Sequence, residues 1–291
     1  MNALLVTERC NSFCLMCSQP PKDKYDIEYY HEIHKKLIPL IPKNCPYLGI
    51  TGGEPTIMGD LLFELLTLLK EHLPSTEIHM LTNGRAFSIN KISEKLSLVN
   101  HPRLMLGIPV YSDFYQDHDY VVQSKNAFYQ TLMGINNLKR YRIRIEIRVV
   151  LHKLTFSRLE NLSEFIFLNL PFVDHVAFMG LEITGFTKPN LNKLWIDPFE
   201  YMPQLENSVH YLDKRKIRVS IYNTPLCLLP DSLWDFSRKS ISDWKNIYHK
   251  ECSECDVLEK CGGFFASSDL KHSQHIKSIH LDKNSLTIES E

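Results

Sequence analysis

The sequence predicts an α/β fold built on a parallel sheet. Three observations carry that prediction. Short apolar segments alternate with helical segments of about 10–15 residues, the pattern of repeated βα units. Glycine-bearing or polar turns follow the apolar segments, as at Gly52-Gly53-Glu54-Pro55 and Thr82-Asn83-Gly84. The composition is that of an ordinary globular chain, with 44% hydrophobic and 23% charged residues over 291 positions.

The elements follow in order. Residues 3–8 are apolar and read as a first strand. Residues 25–38 place Ile27, Tyr30, Ile33, Leu37 and Ile38 at helical spacing, and Pro39 and Pro42 end that helix. Residues 47–51 form a second strand ending at Thr51, and residues 60–72 a strongly apolar helix with Asp60 as its expected N-cap. Residues 77–82 are a third strand, with a short helix at 88–98. Residues 103–110 are a fourth, followed by a helix at 124–139 with Phe128, Leu132, Ile135 and Leu138 on one face. Residues 143–151 alternate apolar side chains around Arg144, Glu146 and Arg148, a fifth strand, and a helix follows at 156–168. Residues 174–182 are a sixth strand, 198–214 a helix and 216–222 a further strand. Residues 228–291 end in a charged tail expected to fray.

Lys plus Arg total 33 and Asp plus Glu 34, a formal charge of -1. That balance argues against a nucleic-acid coat or an electrostatic membrane binder. No run of about 18 uninterrupted apolar residues is present, so no membrane-spanning helix is expected. The first residues lack the basic and apolar regions of a signal peptide, which makes a cytoplasmic, reducing compartment the expectation. Eight cysteines there suit metal ligation or reactive thiols better than disulfides.

Their spacing is the informative part. Cys10, Cys14 and Cys17 fall within eight residues, directly after the first strand. Cys252, Cys255 and Cys261 form a second group, with Cys227 ahead of it. Cys45 precedes a proline with no ligand at useful spacing and reads as a partly buried thiol. Thiolates select iron–sulfur clusters or zinc. A structural zinc site wants four closed ligands, and the first group offers three with no nearby histidine. On a cubane, three thiolates leave one iron open to a substrate or cofactor.

Cys-x3-Cys-x2-Cys after a first strand resembles the cluster loop of the radical S-adenosylmethionine enzymes. The resemblance implies a [4Fe-4S] cluster on Cys10, Cys14 and Cys17, with S-adenosylmethionine chelating the fourth iron. Met16 would pack near the adenine. It also implies a partial (β/α)6 barrel, TIM-like but incomplete, over residues 1–215; six units fit by residue 182, so a full eight-stranded barrel is not required. Parallel-sheet physics places ligands at the C-terminal strand ends, where the cysteine loop and both polar turns fall.

The remaining cofactor contacts follow from the same resemblance. Gly52 and Gly53, placed after Thr51, would allow close backbone approach. Glu54 would accept a charge-assisted hydrogen bond from the methionyl amine. Asn83 ends the third strand in a polar loop of the kind found in the family. Ser112 lies where relatives carry a Ser/Asp turn near the ribose, although Pro109 and Tyr111 depart from the commonest wording. Arg148 would pair with the cofactor carboxylate or else bridge towards Glu146. His79 and His175, on strands, read as satisfied core histidines.

Cys252-x2-Cys255-x5-Cys261 resembles the C-terminal auxiliary-cluster extension, of SPASM or twitch type, in radical enzymes that modify peptides. The fuller extension has another cysteine where this chain has Phe265. The resemblance therefore implies a small cysteine-rich domain over 216–291 with one second, auxiliary [4Fe-4S] cluster on these three cysteines and Cys227. A zinc knuckle on the same four thiolates is the alternative.

The wording from Leu4 to Pro21, with Cys261-Gly-Gly-Phe-Phe, is similar to maturases of the HxsC type, which accompany His-Xaa-Ser repeat peptides. That likeness implies a ribosomally made peptide substrate and a 5′-deoxyadenosyl radical that takes a substrate hydrogen. It also implies a low-potential electron donor such as flavodoxin or ferredoxin. Nine residues precede Cys10, too few for the leader-binding domain of many relatives, so a separate leader-binding or companion protein is expected. Two other classes stay open: a radical enzyme acting on a nucleotide or other small molecule, and a non-catalytic iron–sulfur or zinc protein.

Overall fold

The structure is a computed structural model that describes residues 2–239 and 246–281. The charged tail beyond residue 281 lies outside the described residues. Eight strands form one sheet in unbroken chain order: β1 (Asn2–Leu5), β2 (Tyr47–Thr51), β3 (Glu77–Leu81), β4 (Leu104–Pro109), β5 (Arg144–Val150), β6 (His175–Met179), β7 (Val219–Tyr222) and β8 (Ser237–Arg238). Every neighbouring pair is parallel. The count of six is therefore too low. The sheet also continues past residue 215, because β7 pairs with β6 and β8 with β7.

Helices α1 (Ile27–Leu37), α2 (Asp60–His72), α3 (Asn90–Val99), α4 (Tyr115–Val122), α5 (Ala127–Arg140), α6 (Leu159–Asn169), α7 (Leu191–Leu194) and α8 (Pro198–Asp213) fill the connections. In α2, Leu62, Leu65, Leu66 and Leu69 recur at helical spacing and are all buried. Its cap is Gly59 at φ +60°, not Asp60, which is the first helical residue. Helix α4 falls where a loop is expected. Its buried side is only His118, Val121 and Val122.

Side chains alternate across a strand, and here the two faces of the sheet differ in chemistry. Ile78, Met80, Leu106, Ile108, Ile147, Val149, Phe178 and Ile221 all lie in the single large apolar core. The opposite parity carries His79, Glu146, Arg148, His175 and Ser220. Gly107 sits among them, and a Cβ there would lie 2.9 Å from His79 Nε2 and 3.0 Å from Arg148 Cδ. Its missing side chain makes room for that charged row.

Residues 246–281 contain the two-stranded antiparallel pair β9 (Asn246–Ile247) and β10 (Phe264–Phe265). Ser267 Oγ accepts the Ile183 amide at 2.8 Å, and Asn223 Nδ2 donates to Asn246 Oδ1 at 3.1 Å. Both bonds tie the segment to the C-terminal ends of β6 and β7.

Candidate active site

The cysteine loop leaves the C-terminal end of β1 and is held from four sides. The first hold is backbone to backbone. Gly53 N donates to Thr7 O at 2.7 Å, and Glu54 N to Arg9 O at 2.8 Å. This approach excludes side chains: a Cβ on Gly52 would lie 2.3 Å from Thr7 O, and one on Gly53 1.9 Å from Arg9 O. Gly52 also sits at φ +147°. The two glycines are needed where they stand.

The second hold comes from the turn after β3. Arg85 Nη1 donates to Asn11 O at 2.7 Å and Ser12 Oγ at 3.0 Å, while its Nε donates to Gln130 Oε1 at 2.8 Å. Asn83 Nδ2 donates to Asn11 Oδ1 at 2.6 Å. The third hold is the C-terminal end of α4, whose Val122 and Val121 carbonyls accept the Phe13 and Leu15 amides at 3.1 and 2.9 Å. These bonds satisfy carbonyls that a helix end leaves unpaired. The fourth is the segment after β6: Phe186 N, Thr187 Oγ1 and Asn190 Nδ2 donate to the carbonyls of Cys17, Met16 and Leu15.

The three thiols come within electrostatic reach of one another. Burial pushes the Cys10 thiol up to about 11, and the Cys17 thiol adds to the shift. Burial likewise raises Cys14, reinforced by Cys17 and Cys10, and raises Cys17. Because burial holds these thiols up, binding a metal there expels protons. Three soft donors on a rigid backbone, with Cys10 receiving backbone hydrogen bonds at Asn11 and Ser12, fit a [4Fe-4S] cluster.

Glu54 is fully buried and its carboxylate is already engaged. Oε1 accepts Thr56 N, Thr56 Oγ1 and Thr82 Oγ1 at 3.1, 2.7 and 2.7 Å, and Oε2 accepts Asn83 N at 2.7 Å. In this structure it ties the turn after β2 to the turn after β3. Thr51 closes β2, and its carbonyl accepts Val6 N at 3.0 Å. Met16 is buried in a second apolar cluster with Tyr111, Val121, Val122, Ala127 and Leu194.

Ser112 is buried and accepts Phe114 N at 3.1 Å. Asp113 beside it forms a bidentate pair with Arg158, at 2.8 and 2.6 Å. Arg148 Nη1 donates to Glu146 Oε1 at 3.0 Å and Nη2 to Met179 Sδ at 2.8 Å. His175 Nδ1 meets Glu146 Oε2 at 2.7 Å, and His79 Nε2 stands 3.4 Å from Oε1. Burial alone would raise the Glu146 carboxyl, but these two histidines and Arg148 outweigh it and hold it below the usual carboxylate range.

Arg85 and Tyr111 are functional candidates that sequence reasoning misses. Burial raises the Tyr111 phenol well above its ordinary value, with the Cys14 and Cys17 thiols next in effect, so the ring lies beside the cysteine loop. The position of Arg85, directly after Thr82-Asn83-Gly84, was the available signal for the first. Tyr111 had only its place at the end of β4.

The second cysteine group is gathered with Cys227. Burial raises Cys227, with Cys261 and Cys255 adding to the shift; burial raises Cys252, with the other three adding to it. Leu226 N donates to Cys261 Sγ at 3.4 Å and Ile279 N to Cys255 Sγ at 3.5 Å. Amide donors to sulfur are what thiolate ligands need in a buried site. Among the described residues, no three His, Cys, Asp or Glu side chains form a group that would hold a single metal ion. Cys45 is half-buried and donates to Tyr47 O at 3.3 Å. No helix among the described residues is long and apolar enough to cross a membrane.

A three-thiol loop clamped at the C-terminal edge of a parallel sheet defines a cluster-binding α/β protein. Residues 4–166, more than half of the chain, match the family model of the Radical SAM superfamily, and the chain belongs to that superfamily. Membership implies a [4Fe-4S] cluster and S-adenosylmethionine. The chain is 24% identical over 150 residues to the GTP 3',8-cyclase of Aliarcobacter butzleri (strain RM4018), covering 50% of this chain and 44% of that protein. It is 28% identical over 167 residues to an uncharacterized protein of Methanocaldococcus jannaschii, covering 56% of each. It thus spans about half the length of the curated relatives it matches.

Among solved structures, Streptococcus suis SuiB bound to S-adenosylmethionine superposes with a TM-score of 0.60 at 14% identity, over 85% of this chain and 55% of that one. SuiB has also been solved with its precursor peptide SuiA, at a TM-score of 0.57, 14% identity and coverage of 80% and 49%. Native anSMEcpe with bound AdoMet superposes with a TM-score of 0.58 at 19% identity, over 76% of this chain and 62% of that one. At these identities the likeness is one of fold.

Proposed function

We propose that this chain is a peptide-modifying radical S-adenosylmethionine enzyme, a maturase of a ribosomally made peptide of the His-Xaa-Ser repeat type. The observation that carries the radical chemistry is the three-thiol loop pinned to the Gly52-Gly53 turn at the C-terminal end of the sheet. When bound, the cluster and S-adenosylmethionine supply one-electron cleavage of the sulfonium and a hydrogen-abstracting carbon radical. Cys10, Cys14 and Cys17 hold the cluster. Gly52 and Gly53 bring backbone up to the cofactor. The turns joined by Glu54 orient it, and Met16 and Tyr111 exclude water from one side. The sheet curls into a partial barrel around this cleft, with Arg148 and Ser112 on its wall.

SuiB with its precursor peptide supports the peptide reading. The gathered Cys227, Cys252, Cys255 and Cys261 support one auxiliary [4Fe-4S] cluster in a small C-terminal unit. A companion protein delivers the peptide, and a flavodoxin or ferredoxin supplies the electron. A second reading, a nucleotide or other small molecule as substrate, draws on the polar inner face of the sheet and on the cyclase relative.

The test is anaerobic iron and sulfide analysis with a 5′-deoxyadenosine assay on wild type and Cys14→Ala. The expected result is about eight irons per chain and reductant-dependent 5′-deoxyadenosine that the variant abolishes. Zinc in place of iron, or no release after reduction, overturns the reading. Mass spectrometry with His-Xaa-Ser peptides, against nucleoside triphosphates, separates the two substrates.

A further inference from the structure

We infer that the N-terminal mouth of the sheet, opposite the cysteine loop, is a second ligand site for a small-molecule oxyanion, a phosphate or a carboxylate. A cavity of about 410 Å³ opens there, within the usual range of small-molecule sites. Its wall carries Arg144, Arg218 and Arg238 with His175 and Ser220, and Phe236 gives it an apolar side. Asp213 and Asp235 also line it, so three guanidinium groups face two carboxylates. These residues stand at or just before the starts of β5, β6, β7 and β8. From Arg144 to Val150 the strand runs about 20 Å, so a ligand here is remote from the cofactor cleft.

The guanidinium groups are held but not used up. Arg144 pairs with Glu77 at 2.9 Å. Arg218 donates Nε to Asp174 O at 3.1 Å, and Arg238 donates Nη1 to the Asp235 and Ser237 carbonyls at 2.8 and 2.7 Å. A guanidinium has five N–H donors, so among the described residues most of each fork in Arg218 and Arg238 remains for a ligand. Planar forks in fixed positions match the geometry of phosphate and carboxylate.

The floor of the cavity is built rather than incidental. Ser220 is buried, and its Oγ meets His175 Nε2 at 2.9 Å. His175 Nδ1 faces the Glu146 carboxylate, which only accepts, so that nitrogen carries the proton. The Ser220 hydroxyl then donates to Nε2 when the ring is neutral. The cavity thus rests on a partly buried chain, Ser220–His175–Glu146–Arg148, that runs along the polar face of the sheet.

The test is calorimetric titration of the full chain, iron-loaded, with pyrophosphate at constant ionic strength. One saturable site with Kd at or below about 1 mM is expected. Affinity falls at least about tenfold in Arg218→Gln and in Arg238→Gln and is unchanged in Lys125→Gln, a lysine outside the cavity wall. Citrate competing for the site extends it to carboxylates; no competition restricts it to phosphate. Should the arginine variants fail to fold, hydrogen exchange on wild type replaces them, with pyrophosphate slowing residues 218–220 and 236–238 but not 10–17. No saturation, equal binding in all variants, or protection confined to the cysteine loop overturns the site.

Discussion

The Glu54 carboxylate accepts the Thr82 hydroxyl at 2.7 Å, across 28 residues of sequence. Through that contact the turn after β2, which holds the cysteine loop, is locked to the turn after β3, which holds it again through Arg85. Glu54→Gln replaces an acceptor oxygen with an NH2 facing donors. The variant is expected to lose about 3 kcal/mol of stability, the cost of breaking a buried charged hydrogen-bond set. Thr82→Ala, which removes one donor, should lose about 1 kcal/mol. Urea unfolding of both variants checks the ratio; equal losses would count against the central place of Glu54.

Gly53→Ala tests the backbone clamp. Its Cβ would need the space of Arg9 O, at 1.9 Å, so the loop must move away from β2. The expected outcome is loss of most of the iron bound by the first cysteine group. The apolar core, which the change does not touch, should keep the far-UV circular dichroism of wild type. Iron per chain, measured in a background lacking Cys252, Cys255 and Cys261, is the readout.

Arg85→Gln removes the two donors to Asn11 and Ser12 while leaving the sheet intact. Global stability should change by about 1–2 kcal/mol. The cluster, however, should bleach several-fold faster in air than in wild type, because the second hold on the loop keeps only the Asn83–Asn11 bond. Decay of the visible absorbance near 400 nm follows it. Unchanged decay would show that the other contacts of the loop suffice.

Acid should weaken the fold through buried histidines, starting at pH values above the ordinary carboxylate range. Burial lowers His118 and His152 to about 4 each, so both are neutral in the folded chain and take up protons on unfolding below about 6.5. Stability then falls as pH drops from about 6.5 to 4, by about 2 kcal/mol per histidine at pH 5. Glu146 acts in a lower window: its depressed carboxyl stabilises the fold above the ordinary carboxylate pKa, and that contribution fades only below about 4.5. Urea unfolding at pH 7.5 and 5.0 for wild type and His152→Gln checks this, the variant losing about 2 kcal/mol less than wild type between the two.

Much of the fold was legible because periodicity reports burial. The strands β2 to β7 and helices α2, α5, α6 and α8 each carry buried apolar residues at the period of their element, whereas α1 buries His31 and His34 and leaves Ile33 and Leu37 exposed. Helix α4 was not legible, since Tyr115-Gln-Asp-His-Asp-Tyr shows too few apolar residues to mark a face and its buried position 118 is a histidine. Strand β8 is two residues, Ser237-Arg238, held by pairing with β7 rather than by any pattern. In the site, cysteine spacing revealed the loop because ligands must share a short segment. The bonds of Glu54 to Thr82 and of Arg85 to Asn11 join distant segments, and no local pattern records them. Arg148 had two sequence readings; its bond to Glu146 agrees with one of them, and the β5–β6 register places Glu146 beside His175.

The division of the sheet into an oily face and a charged face has a consequence for descent with modification. Positions 79, 146, 148, 175 and 220 lie off the apolar face, so changes there leave its packing in place, while Gly107 must stay small beside His79 and Arg148. A lineage can thus edit the polar chemistry of that face while the cysteine loop at the strand ends stays as it was.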